Sequence, residues 1–389
     1  MEDKIKVLFF ISSLEGGGAE RVMVNILGHI ERSRIEPVLV LLYPVDKSPY
    51  KDYLPEKIKV IVVERHTDTF FEKVRQFINF CVIVRREKPG VLLSMLTHNN
   101  IMAIVSGIFL RTKVIVCEHI TLGEVVKKRN GKNMLGLPVA PVIKILYRFA
   151  DKVITVSDGI RRNLIDEFRI PAHKIQVIYN PIDHDHITGL SAVPAEHPFF
   201  EGRSPVVIGA GRLARQKRFD SLIKAFSLVV KYMDARLIIL GEGPERIALA
   251  KLVGDLGLED KVSLAGFHGN PYKFFSRADV FVLSSCFEGL PMVILEAMAC
   301  GAPVISTDCK SGPREILHDE KHGILVPVGD DVALSEAILK LLGDKKLRES
   351  FSMAGKERAR DFAVGGVISQ YVNLIYEVAA GLRQQDTGR

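Results

Sequence analysis

Two carboxylates and two cations are the residues whose chemistry stands out first. Glu288 and Glu296 lie in the run Phe287-Glu288-Gly289-Leu290-Pro291-Met292-Val293-Ile294-Leu295-Glu296, with seven residues between them. Glu288 falls in a strand-to-helix loop, Pro291 suits a first helical turn, and Glu296 lies more than a turn inside an otherwise apolar helix. A Glu at that point either takes the helix's one wet face or is buried. If buried, it needs hydrogen-bond donors such as the vicinal hydroxyls of a ribose. Upstream, Gly209-Ala210-Gly211-Arg212-Leu213-Ala214-Arg215-Gln216-Lys217 sets Arg212 and Lys217 at the end of an apolar strand. Ligands of open parallel sheets sit beyond the carboxyl ends of the strands, and a planar guanidinium with an ammonium suits a diphosphate. A solvated basic loop has the same composition.

A third segment, Leu14-Glu15-Gly16-Gly17-Gly18-Ala19-Glu20-Arg21, joins a strand to a helix running to about Ile30. Consecutive glycines there leave backbone N–H groups open to an anion, and the helix dipole adds attraction, so a phosphate site or merely a tight connection fits. It is not the dinucleotide fingerprint: a third glycine would fall at Arg21, and the strand Pro37–Tyr43 ends without an acidic residue for a ribose.

These segments need a frame. Short runs rich in Val, Ile and Leu alternate with segments of helical periodicity. In the first half they are Lys4–Ile11, Pro37–Tyr43, Ile58–Val63, Val91–Met95, Lys113–Cys117, Lys152–Val156 and Ile175–Ile178. In the second they are Val206–Gly211, Arg236–Leu240, Val262–Leu264, Val280–Leu283, Pro303–Ser306 and Gly323–Val326. Near-continuous apolar runs mean parallel strands covered on both faces, and their alternation with helices predicts two doubly wound α/β domains. The length of 389 residues suits two cores. Periodicity breaks from Tyr179 to Pro205, which sets the expected domains at 1–190 and 200–365.

The formal charge is +7, and it is uneven: residues 1–190 hold 28 Lys and Arg against 21 Asp and Glu, whereas residues 191–389 hold 25 of each. The first half is therefore the one expected to meet something anionic, unless the excess only serves solubility. With no Trp, no basic repeat and no zinc-finger spacing, nucleic acid is not the expected partner. The five cysteines show no C-x-x-C spacing and read as buried thiols in a reducing compartment. The apolar run Val7 to Ile11 is short for a signal peptide and Ile101 to Leu110 short for a membrane span, so a cytoplasmic or peripheral protein is expected.

Together these segments resemble the family-4 retaining glycosyltransferases of GT-B fold, in which two Rossmann-like domains face each other across a cleft. The resemblance rests on the Gly-Gly-Gly-Ala-Glu-Arg loop, Val177-Ile178-Tyr179-Asn180-Pro181-Ile182-Asp183, Gly211-Arg212 with Lys217, Gly241-Glu242-Gly243-Pro244, Gly266-Phe267 and Glu288-x7-Glu296. It implies transfer of a hexose or N-acetylhexosamine from a nucleoside-diphosphate sugar, a UDP-sugar first among them, with no tightly bound metal or other cofactor. By the same resemblance Arg212 and Lys217 hold the diphosphate. Glu288 contacts the sugar hydroxyls, with the N–H groups of Gly289 and Leu290 nearby. Glu296 takes the ribose, Phe267 lines the base, and Gly17 and Gly18 close on the diphosphate. His119, in Val116-Cys117-Glu118-His119, stands near the transferred sugar, and the C-terminal helix 366–389 returns to the first domain. Asp183-His184-Asp185 imitates the D-x-D metal signature of another glycosyltransferase fold, but it lies in a connection and carries no metal expectation. A GDP-mannose-dependent mannosyltransferase, a nucleotide-sugar epimerase of the same fold and a non-catalytic binding subunit are the alternatives.

In such a fold the first domain holds the acceptor. Its segment Val125 to Val139 combines Lys127, Lys128, Arg129 and Lys132 with apolar residues, a composition suited to the cytosolic leaflet of the inner membrane and to a diphosphate-linked lipid. A solvated loop leading into an ordinary helix has that composition too. The expected acceptor is a glycan, free or carried on a polyprenyl diphosphate in cell-surface polysaccharide or glycoprotein synthesis.

Overall fold

The computed structural model describes residues 4–15, 17–45, 50, 53–63, 69–123 and 139–386. They form two compact units, residues 1–181 with 364–389 and residues 182–363. The first unit contains β1 (Ile5–Ile11), α1 (Gly18–His29), β2 (Ile35–Leu41), β3 (Lys59–Val62), α2 (Phe70–Glu87), β4 (Val91–Met95), α3 (Thr97–Leu110), β5 (Lys113–Glu118), α4 (Val139–Leu146), β6 (Lys152–Thr155), α5 (Asp158–Asp166) and β7 (Ile175–Val177). The second contains α6 (His184–Ser191), β8 (Val206–Ala210), α7 (Phe219–Val229), β9 (Arg236–Leu240), α8 (Arg246–Asp255), β10 (Val262–Gly266), α9 (Tyr272–Phe275), β11 (Val280–Leu283), α10 (Met292–Ala299), β12 (Val304–Thr307), α11 (Pro313–Leu317), β13 (Ile324–Val326), α12 (Asp331–Gly343) and α13 (Lys345–Arg360). The last helix, α14 (Val364–Asp386), belongs to the first unit.

Every strand expected from the apolar runs is present, with ends displaced by no more than about two residues, the usual margin for helix and strand limits. Both sheets are wholly parallel, in the order β3-β2-β1-β4-β5-β6-β7 and β10-β9-β8-β11-β12-β13. The strands β4, β8, β11 and β12 are buried at every position, the consequence of helices on both faces. In the second unit Val207, Leu222, Phe226, Leu237, Ile239, Val280, Ile305 and Ile338 are wholly excluded from solvent and make one core.

Side-chain caps fix several helix starts: Ser157 accepts from Ile160 N, Asp330 from Ala333 N and Asp344 from Leu347 N. The same device corrects the reading of the seam. Asp183 accepts from His186 N at 3.0 Å and starts α6, so the first residue of the D-x-D imitation is a helix cap. Asn270 Nδ2 donates to Leu190 O at 2.9 Å and Ser276 Oγ to Ser191 O at 3.0 Å, which ties α6 to the second unit. The division therefore falls at Pro181, not at residue 190. Ile182 N donates to Phe362 O at 2.9 Å where that unit's two ends meet. In the first unit Tyr376 Oη donates to Arg34 O at 2.9 Å and Lys152 pairs with Glu377 at 2.8 Å, so α14 is anchored to the sheet and its flank.

Between β9 and α8 the chain passes very close to the end of β8. A Cβ on Gly241, whose φ is +134°, would lie 2.0 Å from the carbonyl oxygen of Gly211. Gly241→Ala should destabilise the second unit by about 1–3 kcal/mol through strain at that φ, before any backbone shift is added. Gly189→Ala, inside α6 with no atom within 4 Å of the new methyl, should gain up to about 1 kcal/mol. Denaturant midpoints of the two variants check the contrast, and equal effects would contradict it.

Candidate active site

The second sheet changes direction between β8 and β11: from β8 the chain builds outward through β9 and β10, and from β11 it builds the other way through β12 and β13. The loops leaving such adjacent strands diverge and open a crevice at their carboxyl ends, the usual ligand position in this architecture. The loop after β8 carries Gly211, Arg212 and Lys217, and the loop after β11 carries Glu288, Gly289 and Leu290. Sequence spacing alone left these groups far apart; the fold brings them to one edge.

There, Lys217 Nζ donates to Glu288 Oε1 at 2.6 Å, with only 17% and 9% of the two side chains exposed. Ser285 Oγ donates to the same carboxylate oxygen at 2.6 Å. The two loops are stitched together around this pair. Ser284 Oγ donates to Lys217 O at 2.7 Å, Gln216 Nε2 to Phe287 O at 2.9 Å and Cys286 N to Gln216 O at 2.9 Å. Ser311 Oγ donates to Glu288 O at 2.6 Å from the loop after β12. Gly211 makes room for the lysine stem, since a Cβ on it would lie 3.1 Å from Lys217 Cε. Arg212 is exposed and has no ion-pair partner among the described residues, so its guanidinium is open to an anion.

Glu296 occupies the buried alternative: it is 7% exposed in α10, and Tyr272 Oη lies 3.5 Å from its Oε1, long for a hydrogen bond. Gly289 and Leu290 are buried, whereas Phe267 is 63% exposed on the loop after β10 and offers an open aromatic face. Burial, reinforced by the Glu288 charge, pushes the Cys309 thiol up to about 12, so it stays protonated and is no nucleophile. Among the described residues no three His, Cys, Asp or Glu side chains are gathered to hold a metal ion.

The first unit's residues are placed at the ends of β1 and β5. Gly17 is the cap residue of α1, and Glu20 folds back over it: a Cβ there would lie 2.1 Å from Glu20 Oε2. A carboxylate thus lies at the helix's positive end, the place the glycine pattern suggested for a phosphate. Burial holds the Glu20 pKa above its ordinary value. Gly18 faces open space, and Gly16 lies outside the described residues. His119 Nε2 lies 3.3 Å from Cys117 Sγ, which in turn lies 3.8 Å from Tyr371 Oη on α14. Burial pushes His119 down to about 4, so its ring is neutral near pH 7. Lys127, Lys128, Arg129 and Lys132 lie outside the described residues.

Several site residues escape a reading by motif. Ser285 and Ser311 look like ordinary loop serines; their signal is position, a few residues past the ends of β11 and β12. Glu118, beside His119, is fully buried and accepts from Thr97 Oγ1 at 3.0 Å, Asn100 Nδ2 at 2.9 Å and the Tyr147 hydroxyl. Leu96, which begins this corner between β4 and α3, has φ +76°, a strained value for a branched side chain.

Two all-parallel α/β sheets, the second with a buried lysine–glutamate pair and an exposed arginine at its reversal point, define the class of doubly wound two-domain proteins. Sequence comparison gives the family. Residues 16–186 match the model for Glycosyltransferase Family 4, and residues 195–358 the model for Glycosyl transferases group 1. An N-acetylgalactosamine-N,N'-diacetylbacillosaminyl-diphospho-undecaprenol 4-alpha-N-acetylgalactosaminyltransferase of Campylobacter jejuni is 30% identical over 364 residues, 92% of this chain and 95% of the relative. An N-acetyl-alpha-D-glucosaminyl L-malate synthase of Bacillus anthracis is 29% identical over 272 residues, 68% of this chain and 70% of the relative. Anabaena HepE, solved with UDP-glucose, superposes with a TM-score of 0.79 at 19% identity, covering 97% of this chain and 100% of that one. The chain belongs to the family-4 glycosyltransferases, and its fold is GT-B.

Two predictions follow from the buried groups. Lys217→Ala leaves the Glu288 carboxylate buried without its cation and should cost about 2–4 kcal/mol of stability; adding Glu288→Gln should recover part of it, as read by denaturant midpoints. A double variant no more stable than Lys217→Ala would contradict the pairing. Burial pushes Glu118 from the ordinary 4.5 up to about 7. The folded unit therefore keeps a proton that the unfolded chain loses, and this contribution to stability falls as pH rises from about 4.5 to about 7. His119, shifted from 6.5 down to about 4, works in the opposite sense, so the test is a difference. Glu118→Gln should remove a falling component on the order of 2–3 kcal/mol from urea midpoints between pH 4.5 and 7.5. Superimposable pH profiles would mean that Glu118 is ionised in the fold.

Proposed function

We propose that this glycosyltransferase acts with retention, moving a hexose or N-acetylhexosamine from a UDP-sugar to a glycan borne on a polyprenyl diphosphate. The observation that carries the donor half is the buried Lys217–Glu288 pair beside the open guanidinium of Arg212 at the ends of β8 and β11. Arg212 and Lys217 hold the diphosphate and stabilise negative charge on the leaving nucleotide, the electrostatic work that a metal supplies elsewhere. Glu288, held by Ser285, turns to the sugar hydroxyls, with the N–H groups of Gly289 and Leu290 beside it. Glu296 takes the ribose and Phe267 covers the base. Gly17 and Gly18 approach the diphosphate once Glu20 yields its place, and His119, neutral and positioned by Cys117, meets the transferred sugar.

The acceptor half is supported by the Campylobacter jejuni relative, whose name specifies a sugar on diphospho-undecaprenol, and the UDP donor by the ligand of Anabaena HepE. On this reading residues 1–181 bind the acceptor and residues 182–363 the donor, with the protein peripheral on the cytosolic face of the membrane and Lys127, Lys128, Arg129 and Lys132 toward the lipid. No helix among the described residues is long and apolar enough to cross a membrane.

A thermal-shift screen with UDP-, GDP- and ADP-sugars tests the donor. A UDP-sugar at 100 times its dissociation constant should add about 2.7 kcal/mol of stability, and a shift with GDP-mannose alone would overturn the reading. Arg212→Ala should lower kcat for transfer by about 10²–10³-fold, and product anomers read by NMR should keep the donor's configuration. A donor converted to its epimer without any acceptor would point to an epimerase instead.

A further inference from the structure

The helix α2 (Phe70–Glu87) has two apolar faces, and the sheet needs only one. Its inner face is satisfied: Phe80, Ile83 and Val84 are buried, and the Phe80 ring stacks on Phe10 with centroids 4.2 Å apart. On the opposite side Phe71 is 83% exposed, Val74 38%, Ile78 55% and Val82 58%. These four are three or four residues apart and so form a single stripe about three turns long. A surface helix of a soluble domain normally puts charge on that side.

Cations border the stripe. Arg75 and Arg85 project from the same face; Arg75 pairs with Glu72 at 3.2 Å, and Arg85 has no ion-pair partner among the described residues. The helix holds four cations, Lys73, Arg75, Arg85 and Arg86, against two carboxylates, of which Glu87 is buried. The neighbouring helix α3 ends in the exposed Phe109. A second copy of this face would bring the arginines against one another, whereas an anionic lipid surface satisfies the apolar stripe and the cations together.

We propose that the outer face of α2 is a membrane-docking surface, which enters the interface of anionic phospholipid through Phe71, Val74, Ile78 and Val82 with Arg75 and Arg85 at headgroup level. This rests on the lipid-borne acceptor proposed above, and it assigns the docking to a face distinct from the segment that holds Lys127 to Lys132.

Sedimentation with phosphatidylglycerol-containing vesicles tests it. The unaltered protein should bind these vesicles and bind phosphatidylcholine vesicles much less. The double substitution Ile78→Ser and Val82→Ser should lower partitioning at least about tenfold with an unchanged melting curve. Arg75→Ser with Arg85→Ser should reduce the preference for anionic lipid. Unchanged sedimentation of the Ile78→Ser, Val82→Ser protein would overturn the proposal. So would failure of the unaltered protein to bind any vesicle, or a dimer that this variant turns into monomer while lipid binding persists. Transfer to a water-soluble short-chain acceptor, measured alongside, should be the same for both proteins; its absence from both would count against the proposed function while sedimentation alone decides the docking surface.

Discussion

A lysine and a glutamate taken out of water next to each other are the constraint on which the second unit's candidate site depends. Burying either charge alone costs several kcal/mol, and their mutual attraction offsets that cost only in good geometry with the remaining hydrogen-bond capacity filled. The fold meets both conditions at Lys217 and Glu288. Ser285 supplies a second donor to the carboxylate, and hydrogen bonds from Ser284, Gln216 and Ser311 hold the two backbones. The adjacency of β8 and β11 brings the two loops together, and Gly211 leaves room for the Lys217 stem. The pair is thus a preorganised charge site, and preorganisation is the main way an enzyme stabilises charge that develops during a reaction.

The first unit handles polarity differently. Its buried groups form a largely uncharged network, in which Glu118 holds a raised pKa among Thr97, Asn100 and Tyr147, and His119 beside it is neutral. Its cations are instead spread over the outside, as along α2. In the second unit, by contrast, a cation is drawn into the interior, as Lys217 beside Glu288.

Much of this could be read in the sequence, for identifiable reasons. Parallel strands buried on both faces leave uninterrupted apolar runs, so β4, β9 and β11 carry their own limits. Arg212, Lys217 and Glu288 are legible because charge at the end of such a strand is chemically unusual. Contacts that depend on which loops meet were not legible: nothing in the types of Ser285 or Ser311 distinguishes them from other loop serines. The Glu20 carboxylate over Gly17 and the burial of Glu118 also depend on tertiary packing. The seam was misplaced because Asp183, in a stretch without apolar period, starts a helix through its side chain. The double-faced α2 reads as an ordinary amphipathic helix until one knows which of its apolar faces the sheet takes.

The most direct test of the account is a crystal structure of the complex with UDP. Lys217 Nζ and the Arg212 guanidinium should each lie about 2.7–2.9 Å from diphosphate oxygens, the length of charge-assisted bonds, with Glu296 on the ribose hydroxyls. Nucleotide bound away from the ends of β8 and β11, or a diphosphate touching neither cation, would contradict it.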